Sequence, residues 1–522
     1  MNLGLYLRTL TKLRASQIYF QVYYRIKGIL PQKNYQRYFT KEIFPLETIY
    51  KPVYTGLKQS GCNKFSLLNI SHDFGELIDW NISVHGRLWN YHLQYLDFLS
   101  DVGLELHERL ALLEDISNCI LEGSLRLEPY PVSIRLINTL VFFHGIPERN
   151  VLIEKAVLKQ IDFLESNLEY HILANHFLEN LIAMCLAAHF VKDRILIIKF
   201  TKRLLIELEE QILPDGAHYE RSVMYHMNIL NRLMILVSLQ DLSQEAYFPL
   251  KRYITLMASW LFTFSEENNE LPLFQDCARN ECLSPDKLLE ECRNLKIPYE
   301  FIPLKESGYR KFRLQNSVLW INSGNISPVY QPGHSHADLL NFVLHINQIP
   351  HIVDTGISTY EVNERRKYER GSGAHNVVII DEKDQSEMWG AFRIGRRAKL
   401  KIINENSESL VSEVYQLCKP EWRHQRSFTC HPSEFVIHDF IKGIENCTGC
   451  ALFHFDRNIT SIWIDQKEKF VEAGQIKLFF EGARQIYLED YKQAIGFNQI
   501  ENAQCLKVDF ADMLITRIEV HV

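Results

Sequence analysis

A helical domain followed by an antiparallel β-sandwich is the fold class that the sequence predicts, and two textures along the chain predict it. From about residue 60 to 300, apolar residues recur every three and four positions, as in "LLIELEEQIL" and "MNILNRLMILVSL", with short polar breaks and few prolines. That spacing is the signature of consecutive amphipathic helices. From about residue 310 the pattern shifts to short β-rich runs, "SVLWINSG", "IPHIVDTG" and "HNVVIIDE", separated by Gly, Asn and Asp turns. Such runs without intervening helical stretches predict antiparallel sheets rather than βαβ units. The change falls at "LKESGYRKF". The chain therefore divides into a helical extension (1–60), a helical domain (61–305) and a sandwich (306–522).

The first stretch, "MNLGLYLRTLTKLRASQIYFQVYYRIKGIL", carries Arg8, Lys12 and Arg14 where a signal peptide would have an apolar core, and it shows no small-residue cleavage site. It reads either as a helix clasping its own domain or as a membrane-surface helix with apolar residues opposite basic ones. With 522 residues, 46% hydrophobic and 23% charged, the chain has the composition of a globular protein of two or three domains. No apolar run reaches the roughly 18 residues of a membrane span. A net charge of −7 argues against general nucleic-acid binding, so an anionic ligand would need locally concentrated positive charge. Eleven cysteines without dense, regular spacing read as mostly reduced thiols. Cys447 and Cys450 form a CxxC with no second pair at zinc-ribbon spacing and read as a turn.

Four stretches carry residues able to do chemistry. "ILANHFLEN" sets Asn175 beside His176 in a helical region, and neighbours on a helix point about 100° apart, so both reach one pocket only at a helix end or on a cavity wall. "LPDGAHYERSVMYHMNIL" breaks a helix at Pro214, Asp215 and Gly216 and restarts near Ser222, with Tyr219 and Tyr225 close to the break. A tyrosine there is a proton donor or acceptor if cations lower its pKa, and otherwise a core residue with a satisfied hydroxyl. "GHSHADLLNFVLHINQIPHIVDTG" and "AHNVVIIDEKDQSEMWGAFRIGRRAKL" bring His336, Asp354 and His375 onto three predicted strands. Two imidazoles and a carboxylate suit zinc, with water or another side chain in the fourth position.

"EPYPVSIRLIN", "NHFLEN", "QILPDGAHYERSVMYH", "PGHSHADLLNFVL", "IVDTG" and "AHNVVIIDEKDQSEMWGAFRIGRRA", in that order, resemble the heparinase II/III family of polysaccharide lyases over roughly residues 75 to 450. The resemblance implies an N-terminal (α/α) toroid followed by an antiparallel β-sandwich, and β-elimination on uronic-acid polysaccharides. That reaction needs the uronate carboxylate neutralised, the C5 proton removed and the departing O4 protonated. By the resemblance, Asn175 and His176 are the carboxylate neutralisers, Tyr225 handles a proton and His334 is the base. His336, Asp354 and His375 are ligands of a structural divalent ion, taken as zinc, which orients the loop of His334. On a strand, positions i and i+2 share a face, which would set His334 and His336 side by side. Some relatives use a second tyrosine, for which Tyr360 and Tyr368 are the candidates.

The expected partner is an acidic polysaccharide, heparan-like or a bacterial surface glycan, with Tyr130, Arg135, Arg370 and Arg393 as substrate-binding candidates. Positive charge would come from "NERRKYERG" and "FRIGRRAK", that is Arg365, Arg366, Lys367, Arg370, Arg393, Arg396, Arg397 and Lys399. Trp80, Trp89, Tyr91 and Tyr130 are able to stack on sugar rings or to pack in the core. Two other readings stand beside the lyase: a uronyl C5-epimerase on the same substrate class, and a non-catalytic glycan-binding protein. A cytoplasmic location is expected from the missing signal pattern.

Overall fold

The computed structural model describes residues 3–29, 34–54, 57–59, 63–143, 149–265, 270–416, 422–443 and 448–521. Helices dominate as far as Pro285–Asn294, and strands dominate from Tyr309–Leu314 onward. The lead segment forms α1 (Leu3–Leu10) and α2 (Ala15–Ile29), and a small three-stranded sheet, Lys58–Gln59, Lys64–Leu67 and Ile70–Asp73, follows it. Those strands were not expected, because four-residue runs carry too little period to stand out against a helical background.

Side-chain caps fix several helix starts. Asn150 accepts from the amides of Leu152 and Ile153, Asp193 from Ile195 and Leu196, and Ser222 from Tyr225. Each satisfies amide donors that the first helical turn leaves orphaned. The helix Ala174–Phe190 is buried along nearly its whole length, so it lies between its neighbours rather than at the surface.

The second half packs two antiparallel sheets face to face. One has four strands in sequence order, Tyr309–Leu314, Ser317–Asn322, Phe342–Ile346 and Ile349–Ile352. The other has ten and is built around the long hairpin Ile476–Gly496 and Gln499–Val520. Phe342 of the smaller sheet meets Phe428 and Phe453 of the larger, each at a ring separation of 5.9 Å, and these residues belong to one apolar core between the sheets. Alternating burial along Trp422–Cys430 and Glu434–Lys442 shows one face of each strand turned into that core.

The helix break at residues 214–216 joins the halves. Asp215 Oδ2 accepts from the Lys305 and Ser307 amides at 2.9 and 2.8 Å and from the Ser307 hydroxyl at 2.7 Å. Gly216 has φ +82, and a Cβ there would lie 2.1 Å from the Leu256 carbonyl oxygen, so only glycine fits the turn. Arg221 reaches across to the carbonyls of Ser307 and Asn325, both at 2.6 Å, and Tyr309 donates to the Arg221 carbonyl. The break thus serves as the hinge plate on which the sandwich is seated.

Candidate active site

At this junction a cavity of about 820 Å³ opens between the halves, lined on the helical side by Tyr130, Asn175, His176, Glu220 and Tyr225 and on the sandwich side by His334, Tyr360, Phe392 and Arg393. Tyr225 lies in the first turn after the Ser222 cap, so the restart of the helix aims its ring at the cleft. Its ring centroid is 4.0 Å from that of His334, and its hydroxyl is 3.1 Å from the hydroxyl of Tyr360. Of the two candidates for a second tyrosine, the structure brings Tyr360 into the site. Tyr368 lines a separate depression with His454 and Cys505, and Tyr219 bonds Tyr330 at 2.8 Å instead.

One carboxylate organises the sandwich side. Asp276, fully buried, accepts from His334 Nδ1 on Oδ2 and from His336 Nε2 on Oδ1, both at 2.8 Å, while Arg366 closes a fork on it at 2.5 and 2.7 Å. The Asp276 amide also donates to the His334 carbonyl at 3.1 Å. His334 and His336 therefore share a carboxylate rather than a strand face, and the structure corrects the expectation that strand alternation pairs them. Both lie in the loop that precedes Phe342–Ile346. Asp276 belongs to an irregular segment with no period or motif to mark it, and sequence reasoning missed it. Arg366 was expected to supply surface charge; it is buried and spent on Asp276.

Burial sets the protonation of the cleft side chains. Burial lowers the His334 pKa, with Asp276 opposing, so the imidazole is neutral at pH 7 with its proton on Nδ1 and its Nε2 lone pair available. Burial holds Tyr225 and Tyr360 well above their ordinary value, so both hydroxyls stay protonated. The condition that cations lower the Tyr225 pKa is not met, and its hydroxyl faces the cleft in the protonated form.

Asn175 and His176 begin the buried helix, with Asn175 in its first turn, and both line the cleft. His176 Nδ1 is 3.0 Å from Glu169 Oε1, and its ring lies 4.2 Å from that of Tyr130. The helix end satisfies the geometric condition for adjacent residues to reach one pocket. Tyr130 and Arg393 line the cleft; Arg135 and Arg370 do not. Arg135 is buried among helices, bonded to Gln160 and Gln94, and Arg370 is buried against the carbonyls of Ser335, Gly390 and Arg393. Both are corrections: charge marks a residue as polar but does not show whether backbone carbonyls will absorb it. The stretch around Arg370 forms the helix Glu364–Arg370 rather than a strand edge, and Arg365 pairs there with Glu369. Trp80 and Trp89 are core residues, and Tyr91 faces the cleft.

Next to His336 lies the candidate metal group. Asp338, Asp354 and His375 bring ligand atoms within 4.8 Å of one another, all buried. His336 lies outside that tight set, although its ring is 5.3 Å from that of His375. His336 Nδ1 and His375 Nε2 are both buried without a hydrogen-bond partner. Two orphaned imidazole nitrogens are a cost that a coordinated cation removes, and the nitrogen and carboxylate donors suit a divalent ion. Asp276 on the far nitrogen of His336 has the form of a carboxylate that orients a ligand histidine. Asp338 was not foreseen, and the three expected residues sit in loops at sheet ends rather than within strands. Cys447 of the CxxC falls outside the described residues, and the cysteines that are described are free thiols.

A helical layer seated on an antiparallel sandwich, with tyrosine, histidine and asparagine around the cleft between them, defines a two-domain protein with its candidate site at the junction. Within that class, the chain belongs to the heparinase II/III family: the model described as Heparinase II/III N-terminus matches residues 151–293, and Heparinase II/III-like, C-terminal matches 296–499. Its fold is that of a solved heparinase III, 16% identical over 89% of this chain and 80% of that one, with a TM-score of 0.65. A mutant of the heparan sulfate lyase HepC from Pedobacter heparinus is 15% identical over 88% and 81%, with a TM-score of 0.60. No curated protein matches the chain in sequence.

Proposed function

We propose that the protein is a polysaccharide lyase that cleaves a uronate-containing acidic polysaccharide by β-elimination. The observation that carries the reading is the packing of Tyr225 against His334 with opposite proton roles: a neutral, Asp276-oriented imidazole beside a hydroxyl held protonated. His334 Nε2 takes the C5 proton of the uronate, the C5–H electrons form the C4–C5 double bond, and the C4–O4 bond breaks. Tyr225 gives its proton to O4, and the proton on His334 returns to Tyr225 directly or through water. Asn175 donates to the carboxylate as charge builds at C5, and His176 lines the same wall with its Nδ1 turned to Glu169. A divalent ion, for which zinc is the proposal, would be held by Asp354 and His375 with His336 and Asp338, and would stiffen the loop that carries His334.

Heparan sulfate is the first substrate to test, since the fold relatives are named as a heparinase III and a heparan sulfate lyase. The test is ultraviolet detection of unsaturated uronate across heparan-like, chondroitin-like and alginate-like chains in deuterated water. Shortened chains with unsaturated ends support the lyase. Deuterium at C5 without cleavage assigns the epimerase instead, and neither outcome across the panel leaves a glycan-binding protein.

A further inference from the structure

α1 and α2 each have two faces, and only one of them is used by the fold. Tyr6 packs on Trp389 at 4.7 Å and Arg8 forks onto Glu387 at 2.7 and 2.9 Å, which ties α1 to the sandwich. Gln17 donates to the Ile172 carbonyl at 3.2 Å, Phe20 stacks on Tyr170 at 4.5 Å, and Lys27 donates to the Ser166 carbonyl at 2.6 Å, which ties α2 to the helical half. Arg14 on Glu210 and Tyr24 on the Leu168 carbonyl add to the clasp from the same side.

The opposite face is apolar and open to solvent. Leu3, Leu7 and Leu10 follow helical spacing along α1 and are 73%, 54% and 48% exposed. On α2, Ile18, Val22, Ile26 and Ile29 are 45%, 52%, 57% and 85% exposed. At 100° per residue these four fall in one stripe, on the side away from Gln17, Phe20, Tyr24 and Lys27. Tyr19 and Tyr23, stacked on each other and exposed, flank one edge; Arg25 flanks the other, and Lys12 sits exposed between the helices. Aliphatic residues at the centre, tyrosines beside them and cations at the margin are what an interfacial helix presents to a bilayer.

Charge selects the kind of bilayer. Residues 1–41 hold eight Lys and Arg and no Asp or Glu; Arg8, Arg14, Arg37 and Lys41 pair with acidic residues of the body, while Lys12 and Arg25 stay exposed at the margin of the apolar face. No described helix is long and apolar enough to cross a membrane, so the segment would lie on the surface. Its location also has meaning: Trp389 and Arg393, under α1, and His171 and Ile172, beside α2, line the cleft.

We propose that the outer face of α1 and α2 docks the protein on an anionic lipid bilayer, with the cleft mouth held at that surface. On the lyase reading this would favour glycan carried close to a membrane, but the docking itself does not depend on that reading.

The test is co-sedimentation of the full chain with vesicles of phosphatidylcholine alone or with one third phosphatidylglycerol. Binding is expected on the anionic vesicles and should weaken with added salt. The triple variant Leu7→Gln, Val22→Gln, Ile26→Gln should reduce it by about tenfold or more, since each removed side chain contributes buried apolar area, while circular dichroism and Tm stay as in the parent. Arg25→Glu should weaken binding on anionic vesicles only. Absence of binding, or binding that the triple variant leaves intact, overturns the proposal. So does a dimer seen by light scattering that the triple variant dissolves, which would assign the stripe to a second copy. Turnover plays no part in the readout, so failure of the lyase reading would not be confused with failure of docking.

Discussion

Asp276 holds His334 at 2.8 Å from across the domain junction: the carboxylate lies between the helices Gln244–Ser265 and Pro285–Asn294 of the helical half, and the imidazole belongs to a loop of the sandwich. The same carboxylate carries His336 and Arg366, so the proposed base, the metal-side histidine and a buried cation move as one unit. Asp276→Asn keeps the shape but lets the amide present either an oxygen or an NH₂ to Nδ1, so the tautomer with a free Nε2 is no longer enforced. Turnover should fall by roughly 100-fold or more with substrate affinity little changed, the pattern for loss of a positioning contact that matters in the transition state. An unchanged kcat in the Asn variant would remove Asp276 from the mechanism.

Tyr225→Phe and His334→Ala should each lower turnover by at least about 100-fold, the low end for general acid–base groups. Tyr360→Phe is the informative companion. Its hydroxyl bonds that of Tyr225 but faces the same cleft, so a loss near that of Tyr225→Phe would make the two hydroxyls a relay. A small loss would leave Tyr225 as the direct donor. Full activity in Tyr225→Phe would sink its role as acid.

What was legible beforehand follows from where a pattern can exist. The switch of period near residue 310 announced the two halves, and ordered motifs brought out Asn175, Tyr225 and His334, all of which line one cleft. Asp276 could not be seen because an aspartate in an irregular segment between two helices looks like any solvated turn; only the fold reveals that two histidines and an arginine converge on it. Arg366 and Arg370 misled in the opposite way, since a cation in a charged stretch reads as surface until buried carbonyls or a carboxylate claim it; Arg135, alone in an apolar stretch, is held by Gln160 and Gln94. The lead segment was left between a clasp and a membrane helix because both need apolar residues at helical spacing. α2 has enough of them for two faces, and the clasp uses only one.

Metal analysis of protein purified without added metal should find about one equivalent of a divalent ion, and both His375→Ala and Asp338→Asn should lose it together with several degrees of Tm, because metal binding adds to folding free energy. His334→Ala should retain the ion, as His334 makes its bond to Asp276 rather than to the Asp338, Asp354 and His375 group. Protein free of metal with the stability of the metal-loaded form would leave the orphaned nitrogens of His336 and His375 unexplained and remove the site.

Glu220 gives the cleft a pH dependence of definite sign. Burial pushes its carboxyl up to about 8 from an ordinary 4.5, Asp276 adds to the rise, and its Oε2 has no hydrogen-bond partner. Glu281, also on the cleft wall, is pushed up by burial to about 8. At pH 7 both are mostly neutral, which spares an anionic substrate two negative charges in a site where Arg393 is the only member of the expected basic cluster on the wall. A folded pKa above the unfolded one means that the native state holds the extra proton, so the stabilisation is fully present below about 4.5 and is lost as pH rises through about 8. Glu220→Gln should therefore flatten the fall in urea-unfolding stability between those limits. It should also blunt the rise in KM for an acidic polysaccharide that the parent shows above about pH 8, since the added wall charge no longer forms. Parallel stability and KM profiles for parent and variant would show that Glu220 is ionised throughout and that the cleft tolerates its charge.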